Sequence, residues 1–447
     1  MENQFLEFAR AGLVKARQMG ADHAELFVVK NRSQEVEVKD DTLDQIKQSE
    51  SQGVGLRVIK GNRQGFSFSS DFRTSAVDKM ITQALANSTY NDEEPALYFP
   101  EPSRSYPQLD LYDAAIVEHT MEEKIELARE TARQAKLYDN RVKTVERSGY
   151  EEGEIEMWLA NSHGISLYQK GSFCGLFALA LSEQNGEQQS GYGMNSCISY
   201  KNLSPENAGK MAGRRAVQLL GAAPVESGVM DLVLEPLIAM QMMGIISSCF
   251  SGEAVLKNKS FLAGKLGEVV ASKELTLIDD GTMPGQLGSG SFDGEGTASQ
   301  RTVLLENGVL KNYLYDCLSA EKAGTLSTGN GMRGSYKGTP HIGTSNYYLE
   351  AGELSPEQLI GAVEKGIYVT EILGAHTANP VSGDFSFGAS GILIEHGRFS
   401  RPVRGITIAG NFQQLLQKIS GVGSDLTFYG SQGAPTVRIS EISVSGK

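Results

Sequence analysis

The chain has 447 residues, enough for about two or three domains that each bury a core. Its 41 Lys and Arg against 54 Asp and Glu give a net charge of −13, which argues against a nucleic-acid partner, because such binding needs a basic footprint. No apolar run approaches the roughly 18 residues of a membrane helix and the four cysteines form no CxxC pair, so we expect a cytoplasmic protein without nucleic-acid or membrane partners.

A first unit with mixed α and β structure is predicted over residues 1–112. Apolar residues at helical spacing predict a helix from residue 3 that ends at Gly20. Alternating residues over 24–41 and 53–70 predict strands joined by tight turns, and a helix is predicted over 74–89. A proline-containing stretch then reads as an extended connector to the next unit.

The second predicted unit, 113–224, repeats this order of strands followed by a helix. Thr120 and Glu123 form a capping-box pattern before a helix over 121–139. Several strands follow, and Ser204 with Pro205 then has the pattern of a helix N-terminus. The repeated order predicts two related α+β layers packed together.

From residue 225 to 447 the chain consists of short β-runs separated by glycine. Asn307-Gly308 between two such runs predicts a hairpin, and the segment around His396-Gly397 has the same shape. We expect a closed or nearly closed β-barrel with a few inserted helices, one of them beginning at Ser355. The predicted fold class is therefore α+β, with an N-terminal α/β-layered region and a C-terminal β-rich, barrel-like domain.

Common catalytic and cofactor motifs are missing from the chain. The letters GNGMRG at 329–334 match GxGxxG, but no strand precedes them and no helix follows, so a glycine-rich loop is the preferred interpretation. The six histidines show no metal-ligand spacing, although His341 and His376 both lie in the β-rich half and can meet in space.

Four carboxylates are concentrated in the glycine-rich loop at 278–300. They can bind a hard cation or accept hydrogen bonds from the backbone of tight turns, and we favour the second role. The four residues are Asp279, Asp280, Asp293 and Glu295.

The run MQMMGIISSCF at 240–250 predicts a buried helix, because a helix that is apolar on nearly every side has no solvent face. Cys249 within it is expected to be a small buried hydrophobe.

Several long segments resemble the TldD/PmbA family, described as modulators of DNA gyrase and metalloproteases, and within it the PmbA (TldE) branch. They are GEVVASKELTLIDDGTMPGQLGSGSFDGEGTASQRTVLLENGVLKNYLYD, TGNGMRGSY, EKGIYVTEILGAH and VSGDFSFGASGILIEHGRFSRPVRGITIAGN. The resemblance implies a dimer that acts in cytoplasmic proteolysis. It also implies that TldD-type subunits cut peptides with zinc held by an HExxxH helix and a cysteine near the C-terminus.

The implied zinc helix falls on the apolar run of this chain. Met243, Gly244 and Ser248 stand approximately where the catalytic branch has His, Glu and His, and the C-terminal stretch has no cysteine. None of these three side chains can ligate zinc or act as a general base. We therefore predict no catalytic, no cofactor-binding and no metal-binding residue, and no cofactor.

The leading hypothesis is a subunit of a TldD/PmbA-type peptidase without its own zinc site. It would form a homodimer, or a heterodimer with a TldD-type HExxxH subunit, and hold an unfolded or modified peptide by strand addition to a sheet edge. One alternative is a self-sufficient peptidase that uses His341, His376, Asp279 and Asp293. Another is a regulator that binds a protein partner without proteolysis.

Overall fold

The computed structural model describes residues 2–446, which form three six-stranded sheets and one two-stranded ribbon. The elements of the N-terminal half are, in chain order, α1 (Glu2–Gln18), β1 (His23–Lys39), β2 (Thr42–Lys60), β3 (Arg63–Ser69), α2 (Thr74–Ser88), α3 (Ala115–Glu118), α4 (Met121–Tyr138), β4 (Val142–Asn161), β5 (Ser166–Gln184), β6 (Glu187–Cys197) and α5 (Pro205–Val217).

The repeated strand-then-helix units are present, but they join edge to edge instead of packing as two layers. Their strands make one antiparallel sheet in the order β3-β2-β1-β4-β5-β6. The joint is the β1–β4 pairing, which runs from Glu25 opposite Asn161 to Val38 opposite Ser148. This pairing satisfies the backbone N–H and C=O groups of β1 and β4, which would otherwise be open edges of two separate sheets. The order of helices and strands along the chain does not show which strands pair.

The predicted helix starts of this half are confirmed. Thr120 and Glu123 form a reciprocal capping box at α4. The Ser204 side chain accepts the Asn207 N–H at α5, whose first residue is a proline. These local contacts satisfy orphan N–H groups, which is why short sequence patterns predict them well.

The elements of the C-terminal half follow in chain order: β7 (Gly228–Leu234), α6 (Pro236–Ile246), α7 (Gly252–Leu256), β8 (Leu277–Asp280), β9 (Arg301–Glu306), β10 (Val309–Leu310), α8 (Cys317–Ala323), β11 (Gly331–Met332), β12 (His341–Ile342), β13 (Tyr347–Leu349), α9 (Pro356–Gly361), β14 (Lys365–Leu373), β15 (Asp384–Glu395), β16 (Arg398–Asn411), α10 (Phe412–Gln417), β17 (Ile419–Val422), β18 (Thr427–Tyr429), β19 (Gln432–Ala434) and β20 (Val437–Ser445). Short 3₁₀ helices lie at Tyr200–Asn202, Ser247–Phe250 and Ala375–Thr377.

The predicted closed barrel is confirmed. Strands β16, β15, β14, β7 and β20 are paired in that order, and β16 pairs back to β20, with Thr407 opposite Ser445. A second sheet has the order β10-β9-β8-β13-β19-β18. The α6 helix packs into the core that these two sheets share. The predicted hairpin at Asn307-Gly308 is also present, with positive φ at both residues.

An apolar contact joins the N-terminal sheet to the C-terminal half. Phe27 and Val29 of β1 pack with Phe292 and Tyr336. The Tyr336 ring lies so close to β2 that a Cβ on Gly53 would meet it at 2.2 Å. A residue without a side chain is therefore required at this position.

No helix within residues 2–446 is long and apolar enough to cross a membrane. The domain boundaries 1–112, 113–224 and 225–447 stay predictions.

Candidate functional site

Helix α6 is buried, as predicted from its composition. Its first turn follows Glu235, a buried carboxylate that pairs with Arg214 and Arg215 of α5 at 3.4 and 3.1 Å. Its buried side chains join the core between the barrel and the second sheet. The site of the implied zinc helix is therefore a packing element in this chain.

The residues at the expected ligand positions offer a poor set of donors. Met243 is 3% exposed, and its carbonyl accepts the Tyr347 hydroxyl at 3.1 Å. At Gly244 a Cβ would lie 2.9 Å from Oε1 of Gln432, so this side chain occupies the adjoining space. Ser248 is exposed and carries only a hydroxyl. Zinc takes imidazole, thiolate or carboxylate, so these residues do not fit the metal that the family resemblance implies.

Cys249 is a buried thiol. Its Sγ donates to the Pro380 carbonyl at 3.4 Å, and Ser260 donates to the Cys249 carbonyl at 2.6 Å. Burial raises the pKa of Cys249 to about 12, so the thiolate that zinc would need is scarce at neutral pH.

The structure does not gather the histidine candidates into a metal centre. His341 lies exposed on β12, and His376 lies in the 3₁₀ helix at Ala375–Thr377. Across residues 2–446, no three or more His, Cys, Asp or Glu side chains are grouped so that they could hold a metal ion.

One histidine contact was not predicted. His163 lies in the turn between β4 and β5, and its Nε2 lies 2.9 Å from Nδ1 of His23. The two residues are 140 positions apart, so spacing along the chain gives no signal for the pair.

The acidic loop has mainly the structural role that was predicted. Asp280 accepts the N–H and the hydroxyl of Thr282, two residues along the chain. Asp279 accepts the N–H and hydroxyl of Ser345 and the side-chain amide of Asn330 at 2.7–2.8 Å. Burial raises the pKa of Asp279 to about 6.

Asp293 connects the acidic loop to the GNGMRG loop. Its carboxylate accepts the N–H groups of Glu295, Thr297 and Gly331 at 2.9, 3.0 and 2.8 Å. Burial, with the nearby Glu295 charge adding to it, raises the pKa of Asp293 to about 7. The GNGMRG loop therefore donates a hydrogen bond to the acidic loop, from Gly331 to Asp293. It does not join a strand to a following helix, as a dinucleotide-binding loop does, and this agrees with the sequence interpretation.

A buried charge cluster, formed by Glu25, Arg57, Glu295 and Arg333, joins the N-terminal sheet to the C-terminal half. Arg57 forms two hydrogen bonds with Glu25 and two with Glu295, all at 3.1 Å. Arg333 completes the cluster through an ion pair with Glu25. Glu25, Arg57 and Glu295 are 0%, 6% and 2% exposed, so the charges depend on one another for solvation.

The sequence interpretation missed this cluster, although one signal was available. Glu25 and Arg57 interrupt apolar strand segments, and β1 and β2 place them directly opposite each other. Their partners Glu295 and Arg333 come from loops 238 and 308 residues away, which no local pattern indicates.

Two cavities lie near the elements described above, one beside the charge cluster and one beside β18. One of about 620 Å³ lies beside the charge cluster between the two halves, with Arg57 and Glu295 in its wall and His341 at its lining. The other, of about 390 Å³, lies along β18, which ends the second sheet. Thr427, Phe428 and Tyr429 line it on one side, and Met194 and Met211 on the other.

Three family models match successive parts of the chain: PmbA/TldA metallopeptidase domain 1 over residues 24–88, the central domain over 116–220 and the C-terminal domain over 227–446. The metalloprotease PmbA of Escherichia coli is 26% identical over 451 residues, which cover 100% of this chain and 97% of that protein. A metalloprotease TldD homolog of Haemophilus influenzae is 28% identical over 458 residues, with coverage of 95% and 93%. The crystal structure of TldE from Thermococcus kodakarensis matches with a TM-score of 0.89 at 26% identity and covers 98% of this chain and 100% of that chain.

Proposed function

The chain belongs to the PmbA/TldD metallopeptidase family, and we propose that it is a subunit of such a peptidase without a zinc centre of its own. It acts in the proteolysis or maturation of peptides in the cytoplasm, together with a subunit that does carry zinc.

The observation that carries this proposal is the chemistry along α6 and the 3₁₀ helix at Ser247–Phe250 that follows it. A thioether at Met243, the missing side chain at Gly244 and a hydroxyl at Ser248 replace the donors that HExxxH would provide. Gln432 fills the space beside Gly244, and Cys249 is held as a thiol. A metallopeptidase needs three protein ligands and a metal-activated water, and Met243, Gly244 and Ser248 offer none of these ligands.

The proposed partner is a TldD-type HExxxH subunit. Full-length similarity to proteins named PmbA, TldD homolog and TldE supports a shared architecture for both kinds of subunit. A chain that keeps the fold and lacks the metal ligands is suited to pairing with a catalytic relative, because a fold and its active site are separable.

The proposed substrate is an unfolded or modified peptide that adds a strand to β18. This strand ends its sheet, contacts α6 and has a cavity of about 390 Å³ beside it. Strand addition reads mainly the peptide backbone, so it suits a broad range of sequences.

Reconstitution tests the proposal. We expect this chain alone to leave an unstructured polypeptide such as casein intact, and cleavage to occur when a TldD-type subunit from the same organism is added. Replacing the glutamate of the partner's HExxxH motif should abolish that cleavage, whereas Cys249→Ala in this chain should leave it unchanged. Cleavage by this chain alone would refute the proposed role.

Proline substitutions test the peptide edge. Phe428 and Tyr429 are consecutive in β18, so one N–H faces β19 and the other faces the open edge. The variants are Phe428→Pro and Tyr429→Pro, and we expect the one that removes the outward N–H to reduce cleavage by the reconstituted pair while the fold is kept. If neither folded variant reduces cleavage, β18 is not the site of strand addition.

A further inference from the structure

Cys174 and Cys197 form a thiol pair that their spacing in the sequence did not predict. They stand directly opposite each other on the antiparallel strands β5 and β6, and their Sγ atoms are 3.7 Å apart. Strand register brings them together across 23 residues, although the chain contains no CxxC motif.

The backbone at this pair permits a disulfide. Residues directly opposite in antiparallel strands have Cα atoms about 4.5 or 5.5 Å apart, and both separations lie within the range of about 4.4–6.8 Å found for disulfides. The close Sγ atoms show that both side chains point to the same face of the sheet. To form the bond, the Sγ atoms must approach from 3.7 Å to about 2.0 Å.

The two thiols are chemically unequal. Cys197 is half-buried, and the hydrogen bond between the two thiols lowers the pKa of Cys197 below its ordinary value. Cys174 is buried, and this hydrogen bond together with desolvation raises its pKa. Cys197 is thus the group that reaches solvent and ionises first, and Cys174 lies behind it.

We propose that Cys174 and Cys197 form a redox-modification site, which low-molecular-weight disulfides such as oxidised glutathione convert to an intramolecular disulfide. This inference does not depend on the proposed peptidase role.

The reaction is a pair of thiol–disulfide exchanges. The Cys197 thiolate attacks one sulfur of the small disulfide, whose S–S bond breaks and releases one thiol that carries the proton lost by Cys197. Cys174 Sγ then attacks Cys197 Sγ and expels the second small thiol, which takes the proton from Cys174. Two cysteine thiols are oxidised and one small disulfide is reduced to two thiols.

The bond would fix β5 to β6 next to the junction with the preceding connector. Ser199 Oγ and the Tyr200 N–H both donate to Asp113, at 2.6 and 3.0 Å, just beyond Cys197. Oxidation therefore cross-links the region where the connector enters the second strand-then-helix unit.

The test exposes the folded protein to oxidised glutathione, then denatures it and alkylates the remaining thiols for peptide mass mapping. We expect the wild type to lose two of its four alkylatable thiols and to give a peptide that links Cys174 with Cys197. Cys174→Ser should stop at a glutathionyl adduct on Cys197. Cys249→Ser is the matched control and should form the same disulfide as the wild type.

Three outcomes would overturn the proposal. They are four free thiols in the exposed wild type, a lasting glutathionyl adduct on Cys197 in the wild type, or modification of Cys249 or Cys317 instead. The wild-type result decides the question even if a serine variant fails to fold.

Discussion

Replacing Arg57 with methionine should destabilise the N-terminal sheet strongly, because it removes the cation that the buried Glu25 and Glu295 carboxylates share. Glu25 retains its ion pair with Arg333, whereas Glu295 loses its hydrogen-bonded cation and keeps hydrogen bonds with Cys317, one of them from the N–H at 2.8 Å. One uncompensated buried charge costs about 3–5 kcal/mol. We expect the free energy of unfolding to fall by about this amount.

The assay is urea unfolding followed by tryptophan fluorescence. Trp158 is the only tryptophan, and it is buried in β4 with the N-terminal sheet around it. The control is Lys210→Met, which removes an exposed ion pair with Glu206 and should change the stability far less, because water screens the two charges. The Arg57→Met, Glu295→Gln double variant should recover part of the loss. If Arg57→Met costs no more than the control, the cluster does not stabilise the contact between the two halves.

Three further predictions concern packing, pH and thiol reactivity. Gly53→Ala should lower the free energy of unfolding by about 1–3 kcal/mol, because its Cβ would meet the Tyr336 ring at 2.2 Å. Gly171→Ala is the control and should lower it less in the same urea assay, because the nearest atom to its Cβ is 3.5 Å away. Equal losses of stability would contradict this prediction. Burial raises the pKa of Asp293 to about 7, so between about pH 4 and 7 the folded protein retains a proton that the unfolded chain has released. The free energy of unfolding of the wild type should therefore fall over this pH range relative to that of Asp293→Asn. If the difference between the two proteins is the same at every pH, the assignment is refuted. In timed alkylation at neutral pH, Cys197 should react before Cys249, whose pKa is raised to about 12; the reverse order would show that Cys249 is accessible.

Features encoded by neighbouring residues were predicted well. The caps at Thr120 and Ser204, the hairpin at Asn307-Gly308 and the buried α6 helix all depend on contacts within a few residues or on composition. The absence of a zinc site in this chain stays a prediction, which rests on the residue types at Met243, Gly244 and Ser248.

Features created by long-range pairing were missed or misplaced. The β1–β4 joint made one sheet of two units, and register placed Cys174 opposite Cys197. The charge cluster depends on loops that are far from the N-terminal sheet in the sequence, as the 238-residue separation of Arg57 from Glu295 shows. Hydrophobic periodicity predicts which face of a strand is buried, but it does not predict which element packs against that face.

The zinc content of this chain, purified without chelators or a metal-affinity tag, tests the central claim most directly. A TldD-type HExxxH subunit prepared in the same way is the positive control. We predict essentially no zinc in this chain and about one zinc per chain in the control. About one tightly bound zinc per chain in this protein would contradict the account and would identify it as a metallopeptidase in its own right.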